Sequence, residues 1–173
     1  YRAMYGASGN RSNNVAIGKE ALLSNTTGGA NTVVGATAGD ALTDGASNVF
    51  IGFDAAGATT SLDKSVIIGY SAVSDSNITG SNAEGTVAIG YQALKALSSG
   101  GSNIAIGYQA MLEHTTGAKN IAIGEGAMND TGANDCPTST DNIFVGYDAG
   151  GGTWTTNDCN YNVGIGNYAM DGA

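Results

Sequence analysis

Roughly every 17 residues this chain returns to a glycine preceded by Ile or Val, and that recurrence limits the possible folds more than composition does. The glycines are Gly18, Gly35, Gly52, Gly69, Gly90, Gly107, Gly124, Gly146 and Gly166, at intervals of 17, 17, 17, 21, 17, 17, 22 and 20. Alanine follows each one three positions later, from Ala21 to Ala169. Four positions before each stand Asn14, Asn31, Asn48, Ser65, Thr86, Asn103, Asn120, Asn142 and Asn162. The extra residues of the long intervals fall in the polar half of the unit, in SDSNITGSNAEG, TGANDCPTSTD and GGTWTTNDCN. Insertions confined to one segment are what a stacked array accommodates as loops on one face.

A 17-residue unit is too short for paired-helix repeats, and segments such as NVAIG are β-branched and bounded by Asn, Ser and Gly. Helix-forming pieces such as YQALKALSS and YQAMLEH compete with this reading, but they run for two turns at most, too short to stand alone. With 28 glycines, three phenylalanines and one tryptophan, few large side chains exist to fill a thick interior. The pattern predicts an all-β, parallel β-solenoid of about ten coils, one coil per repeat, with identical residues stacked in columns. Residues 1–173 read as a single solenoid domain, a segment of a longer fibre chain that starts and stops in mid-repeat. The glycine column supplies a corner conformation closed to other residues, and the asparagines pass amide hydrogen bonds from coil to coil. Alanine fits where the interior is narrowest.

Within each strand, alternation places the first and third residues on one face and the middle one on the other. Val15 with Ile17, Val49 with Ile51 and Ile104 with Ile106 are assigned to the coil interior. The middle column of Ala16, Val33, Phe50, Ile67, Ala88, Ala105, Ala122 and Phe144 is also apolar, and Leu22, Leu94, Met111, Met128 and Met170 add to that surplus. A strand apolar on both sides is covered on both sides, so the middle column is expected to pack against other copies of the chain, as a homotrimer.

NVAIG, TVAIG, NIAIG and NIAIGEGA resemble the head repeats of trimeric autotransporter adhesins. The longer units NIAIGYQAMLEHTTGAK and NVAIGKEALLSNTTGGA are similar to 17-residue repeats of phage tail-fibre and other surface-fibre proteins. The resemblance spans essentially the whole chain. It implies a left-handed β-roll, trimeric assembly and a structural or adhesive role outside the cell or on a virion, without enzymatic activity or cofactor. Adhesin heads have a shorter period, and the inserted loops are particular to this chain.

The sharper chemical readings are weak beside this one. Six basic against fifteen acidic residues, a net charge of −9, argue against a nucleic-acid partner. No apolar run approaches the roughly 20 residues that span a bilayer, so no membrane insertion is expected. His114, the only histidine, is read as an exposed loop residue rather than a catalytic base. Asp54 and Asp148 raise the alternative of a carbohydrate-active solenoid enzyme, and Asp135, Asp141 and Asp158 that of calcium, but no ligand spacing matches a known calcium loop, so no metal is assigned. Recurrent hydroxyls at Thr26 and Thr27, Ser98 and Ser99, and Thr115 and Thr116 raise ice binding, though turn chemistry accounts for them more simply. Sequons begin at Asn10, Asn25, Asn77 and Asn129. Cys136 and Cys159 stand 12 and 13 residues after their glycines in successive coils, which predicts a disulfide and an oxidising, extracellular setting. The expanded loops are the expected contact surface for a glycan or protein receptor, with Trp154, Tyr161 and Asn77 as its candidate residues.

Overall fold

The computed structural model describes residues 2–4, 9, 11–75, 77–78, 83–129, 136, 138–152 and 159–171. Nine strands of three residues each, β1 (Val15–Ile17), β2 (Thr32–Val34), β3 (Val49–Ile51), β4 (Val66–Ile68), β5 (Val87–Ile89), β6 (Ile104–Ile106), β7 (Ile121–Ile123), β8 (Ile143–Val145) and β9 (Val163–Ile165), form one sheet in sequence order. Every pairing is parallel and in register, residue for equivalent residue, as in Ala88 opposite Ala105 opposite Ala122. This is a parallel β-solenoid of period about 17; among the described residues its nine strands enclose eight complete turns, where about ten coils are expected from the sequence, and Met4 N donating to Ala21 O continues the ladder ahead of β1. Among the described residues there is no α-helix: YQALKALSS and YQAMLEH are turns.

The turns are laddered as thoroughly as the strands. Leu94 N donates to Ala110 O at 3.0 Å, Met111 N to Ala127 O at 2.9 Å and Gln109 N to Tyr91 O at 2.9 Å, so backbone polar groups are paired between coils well outside the sheet. Aligning them requires positive φ at three recurring places. Around Gly107 these are Ser102 (61°), Gln109 (54°) and Met111 (54°), and in another coil even the β-branched Val73 (51°) complies. Non-glycine residues enter this region at a cost of roughly 1–2 kcal/mol each, and the continuous intercoil hydrogen bonding offsets it. At the corner itself φ lies further out, at 147° for Gly107, and a Cβ there would overlap the carbonyl of Gly124 in the next coil.

The strand faces are the reverse of those expected from alternation. Val33, Phe50, Ile67, Ala88, Ala105, Ala122 and Phe144, in the middle of their strands, are fully or almost fully buried inside the coil, while Val15, Ile17, Ile51, Val163 and Ile165 are exposed. Leu22, Leu94, Met111 and Met128 are likewise buried inside, not part of an outer surplus. The asparagines set this parity. Asn48, Asn103 and Asn120 are buried, and the residue two positions on in an extended chain must share their face. A three-residue strand with its middle directed inward leaves two side chains outward.

Across the thin core, the middle strand residue and the position four after the glycine are of complementary size in several coils. Ala105 is matched with Met111, Ala88 with Leu94 and Ala122 with Met128, whereas Phe144 is matched with Gly150. Phe144 leaves no space for a Cβ on Gly150, and Phe50 likewise crowds Gly39 of the preceding coil. Between these columns the repeated alanines, from Ala21 to Ala149, are fully buried. In these coils a large side chain on one side of the core meets a small one on the other, which keeps the thin interior close-packed.

Candidate functional site

The asparagine column is linked by side-chain hydrogen bonds from coil to coil. Asn120 Nδ2 donates to Asn103 Oδ1 at 3.1 Å and to Ser139 O at 2.8 Å. Its Oδ1 in turn accepts from Asn142 N at 3.1 Å and Asn142 Nδ2 at 3.0 Å. Asn142 repeats the pattern towards Asn162, and Asn14, Asn31 and Asn48 do so at the other end, where Asn48 Nδ2 also donates to Leu62 O. Ser65 and Thr86 carry the column through the middle coils, with Thr86 N donating to Ser65 Oγ at 3.2 Å. The role is structural: the amides bind the turn carbonyls that precede the next strand.

His114 is not an exposed loop residue. It is fully buried, in the interior column that also holds Asn25, Leu42 and Leu97. Its Nε2 lies 3.3 Å from Asn120 Nδ2, and its Nδ1 has no hydrogen-bond partner. Burial lowers its pKa from the ordinary 6.5 to about 4, with the Gly117 backbone opposing weakly. The neutral ring is therefore the folded form. Stability from this group is full above pH 6.5 and is lost as pH falls from there towards 4, by about 3 kcal/mol in total. Asp40 and Asp54, whose carboxyls burial raises, work in the opposite sense. Denaturant midpoints of the wild type and His114→Leu should therefore diverge between pH 6.5 and 4, the variant holding the flatter profile; parallel profiles would show that the histidine is not buried neutral.

Other sequence candidates fall apart in space. Asp54 and Asp148 share a column but stand five coils apart, roughly 24 Å at ordinary strand spacing, far beyond the ~5–10 Å of paired glycosidase carboxylates. Asp54 accepts a hydrogen bond from Ser71 at 3.4 Å. Among the described residues no group of three His, Cys, Asp or Glu side chains could hold a metal; Asp135 and Asp158 lie outside those residues. The column hydroxyls are used by the backbone, Thr26 Oγ1 donating to Thr43 O at 3.0 Å and Ser98 Oγ to Thr115 O at 3.0 Å. Asn25 is fully buried, so its sequon is closed to glycosylation in the folded chain, while Asn77 is exposed and accepts from Thr60 Oγ1 at 2.9 Å. Asn10 and Trp154 lie outside the described residues. Tyr161 is 79% exposed. Cys136 and Cys159 form a disulfide, with Cα atoms 6.0 Å apart, that joins two successive expanded loops.

Two surface features are not anticipated by alternation along the strand. The first is the outer face of the sheet, where the columns at the first and third strand positions, Val or Ile except for Thr32, lie side by side along nine strands, about 40 Å at ordinary spacing. The second is an aromatic stack one residue beyond the glycine corner. Phe53, Tyr70, Tyr91 and Tyr108 are stacked ring on ring with centroids 5.1, 5.5 and 5.0 Å apart. Glu125 interrupts that column, and Tyr147 resumes it. The signal for both is present in the sequence, in the invariant Ile or Val before each glycine and the recurrent Tyr after it.

No family model, curated protein or solved structure matches the chain.

Proposed function

We propose that the chain is a structural and adhesive segment of an extracellular fibre, a phage tail fibre or cell-surface appendage, in which a rigid solenoid shaft presents loops for attachment. The observation that carries this reading is the long apolar face left outside the coil. Ile17 is 60% exposed and Ile51 38%, in columns that repeat on every strand. A continuous apolar strip of this kind marks an association surface. Other copies of the same chain fit it best, because a partner with the same repeat matches it coil for coil. Cyclic closure about the fibre axis into a homotrimer buries the strip of every copy without generating an open polymer. The likeness of NVAIG and NIAIG to trimeric autotransporter adhesin heads, and of the 17-residue unit to tail-fibre repeats, supports the same assembly. The disulfide suits an oxidising, extracellular compartment. The expanded loops, with exposed Asn77 and Tyr161, are the surface offered to a glycan or protein receptor.

Native mass measurement tests the assembly. Three copies are expected for the wild type, and the double substitution Ile68→Asp and Ile106→Asp on the outer face should release monomers with an unchanged β spectrum. A wild type that is monomeric at high concentration would sink the proposal.

A further inference from the structure

The gap at Glu125 in the aromatic column is a notch with a definite chemistry. It encloses about 240 Å³ and is lined by Tyr108, Gln109, Glu125, Gly126, Asn129, Tyr147 and Asp148. Tyr108 ends the stack on one side, and Tyr147, paired edge-on with Tyr168 at 5.2 Å, begins the aromatic surface on the other. These two rings belong to coils two steps apart, roughly 10 Å. A flat group placed midway would lie about 5 Å from each, the spacing the stacked rings keep among themselves. The position of its missing rung is open because Glu125 is exposed and Gly126 carries no side chain.

The charged groups of the notch are both acceptors. They are the carboxylates of Glu125 and Asp148, beside which stand the side-chain amides of Gln109 and Asn129. An occupant must therefore bring donors and positive charge as well as flat faces. An ammonium supplies the charge but no plane, whereas a guanidinium offers five in-plane donors and two faces that stack on aromatic rings. The negative field is visible on Tyr147, whose phenol is held above its ordinary pKa chiefly by Tyr168 and next by Glu125. The net charge of −9 draws cations towards the surface as a whole.

We propose that the notch between Tyr108 and Tyr147 binds an arginine side chain of a partner protein, its guanidinium sandwiched by the two rings and hydrogen-bonded to Glu125 and Asp148. The site stands independently of the fibre reading and is tested on whichever oligomer the chain forms.

The probe is N-acetyl-arginine amide, titrated while the ring resonances of Tyr108 and Tyr147 are followed, with the neutral, isosteric citrulline amide as control. Saturable shifts are expected from arginine only, weakened at least tenfold by Glu125→Gln and by raising the salt to screen the carboxylates. Glu125→Tyr restores the rung found in the neighbouring coils, so it should keep the fold and abolish binding. Equal shifts from citrulline, undiminished binding to Glu125→Tyr, or no saturable binding to the folded wild type would each overturn the assignment; this last result extends to a notch closed by self-association, which native mass would detect separately.

Discussion

Gly107→Ala should destabilise the solenoid by more than about 3 kcal/mol, out of proportion to one added methyl group. Two costs coincide at this corner. The backbone sits at φ 147°, a region essentially reserved for glycine, and the new Cβ would overlap the carbonyl oxygen and carbon of Gly124 in the next coil. Relief would require the coils to separate, which breaks Gly124 N to Ile106 O and its neighbours in the ladder. Gly166 provides the control within the same chain. It shares the conformation, at φ 127°, but a Cβ there meets nothing within 4 Å. Gly166→Ala should therefore carry the conformational cost alone, of order 1–3 kcal/mol. Urea denaturation of the two variants separates the terms; equal losses would mean that close stacking at the corner is not what selects glycine. Because each coil touches only its neighbours, the central substitution should also broaden the transition by uncoupling the two halves of the rod.

Asn120→Ala is expected to cost about 3–5 kcal/mol, chiefly because it strands buried polar groups and only secondarily because it removes packing. It deletes the acceptor for both Asn142 N and Asn142 Nδ2 and the donor to Ser139 O, all in the buried interior. Asn120→Ser should be distinctly milder, because Ser65 already occupies the same column and accepts from Thr86 N through its hydroxyl. Equal losses for alanine and serine, measured by chemical denaturation at neutral pH, would show that the ladder is not the source of the stability. The adjoining His114 ties this test to the pH experiment, since its Nε2 meets the same amide.

Much of the architecture follows from column arithmetic. The glycine interval specifies one coil per repeat, the confined insertions identify the loop side, and the offsets of Cys136 and Cys159 anticipate the disulfide. Alternation alone inverts the inside and outside of the strand because both columns are apolar, and hydrophobicity carries no sign when both faces are to be covered. Asn103 and Asn120 hold the missing information: buried amides facing the interior place Ala105 and Ala122 there and turn Ile104, Ile106, Ile121 and Ile123 outward. The burial of His114 is hidden for a related reason. Its neighbourhood in sequence is polar, yet its column partners include Leu42 and Leu97, so the column rather than the chain neighbours decides its environment.

The candidate cation notch shows the remaining distance. Tyr108, Glu125 and Tyr147 are visible as a broken aromatic column once the coils are aligned, but Asn129 belongs to a different position of the repeat and joins them only when the turn folds over. By itself, the sequence determined the repeat, the parallel register and the columns, because a period is a one-dimensional property that stacking converts directly into neighbours. Only the tertiary structure decided which apolar column faces in, how Phe144 and Gly150 share one cross-section, and what Glu125 opens between two tyrosines. Those depend on where each turn points its side chains, which is set by closure of the coil in three dimensions and by packing across it.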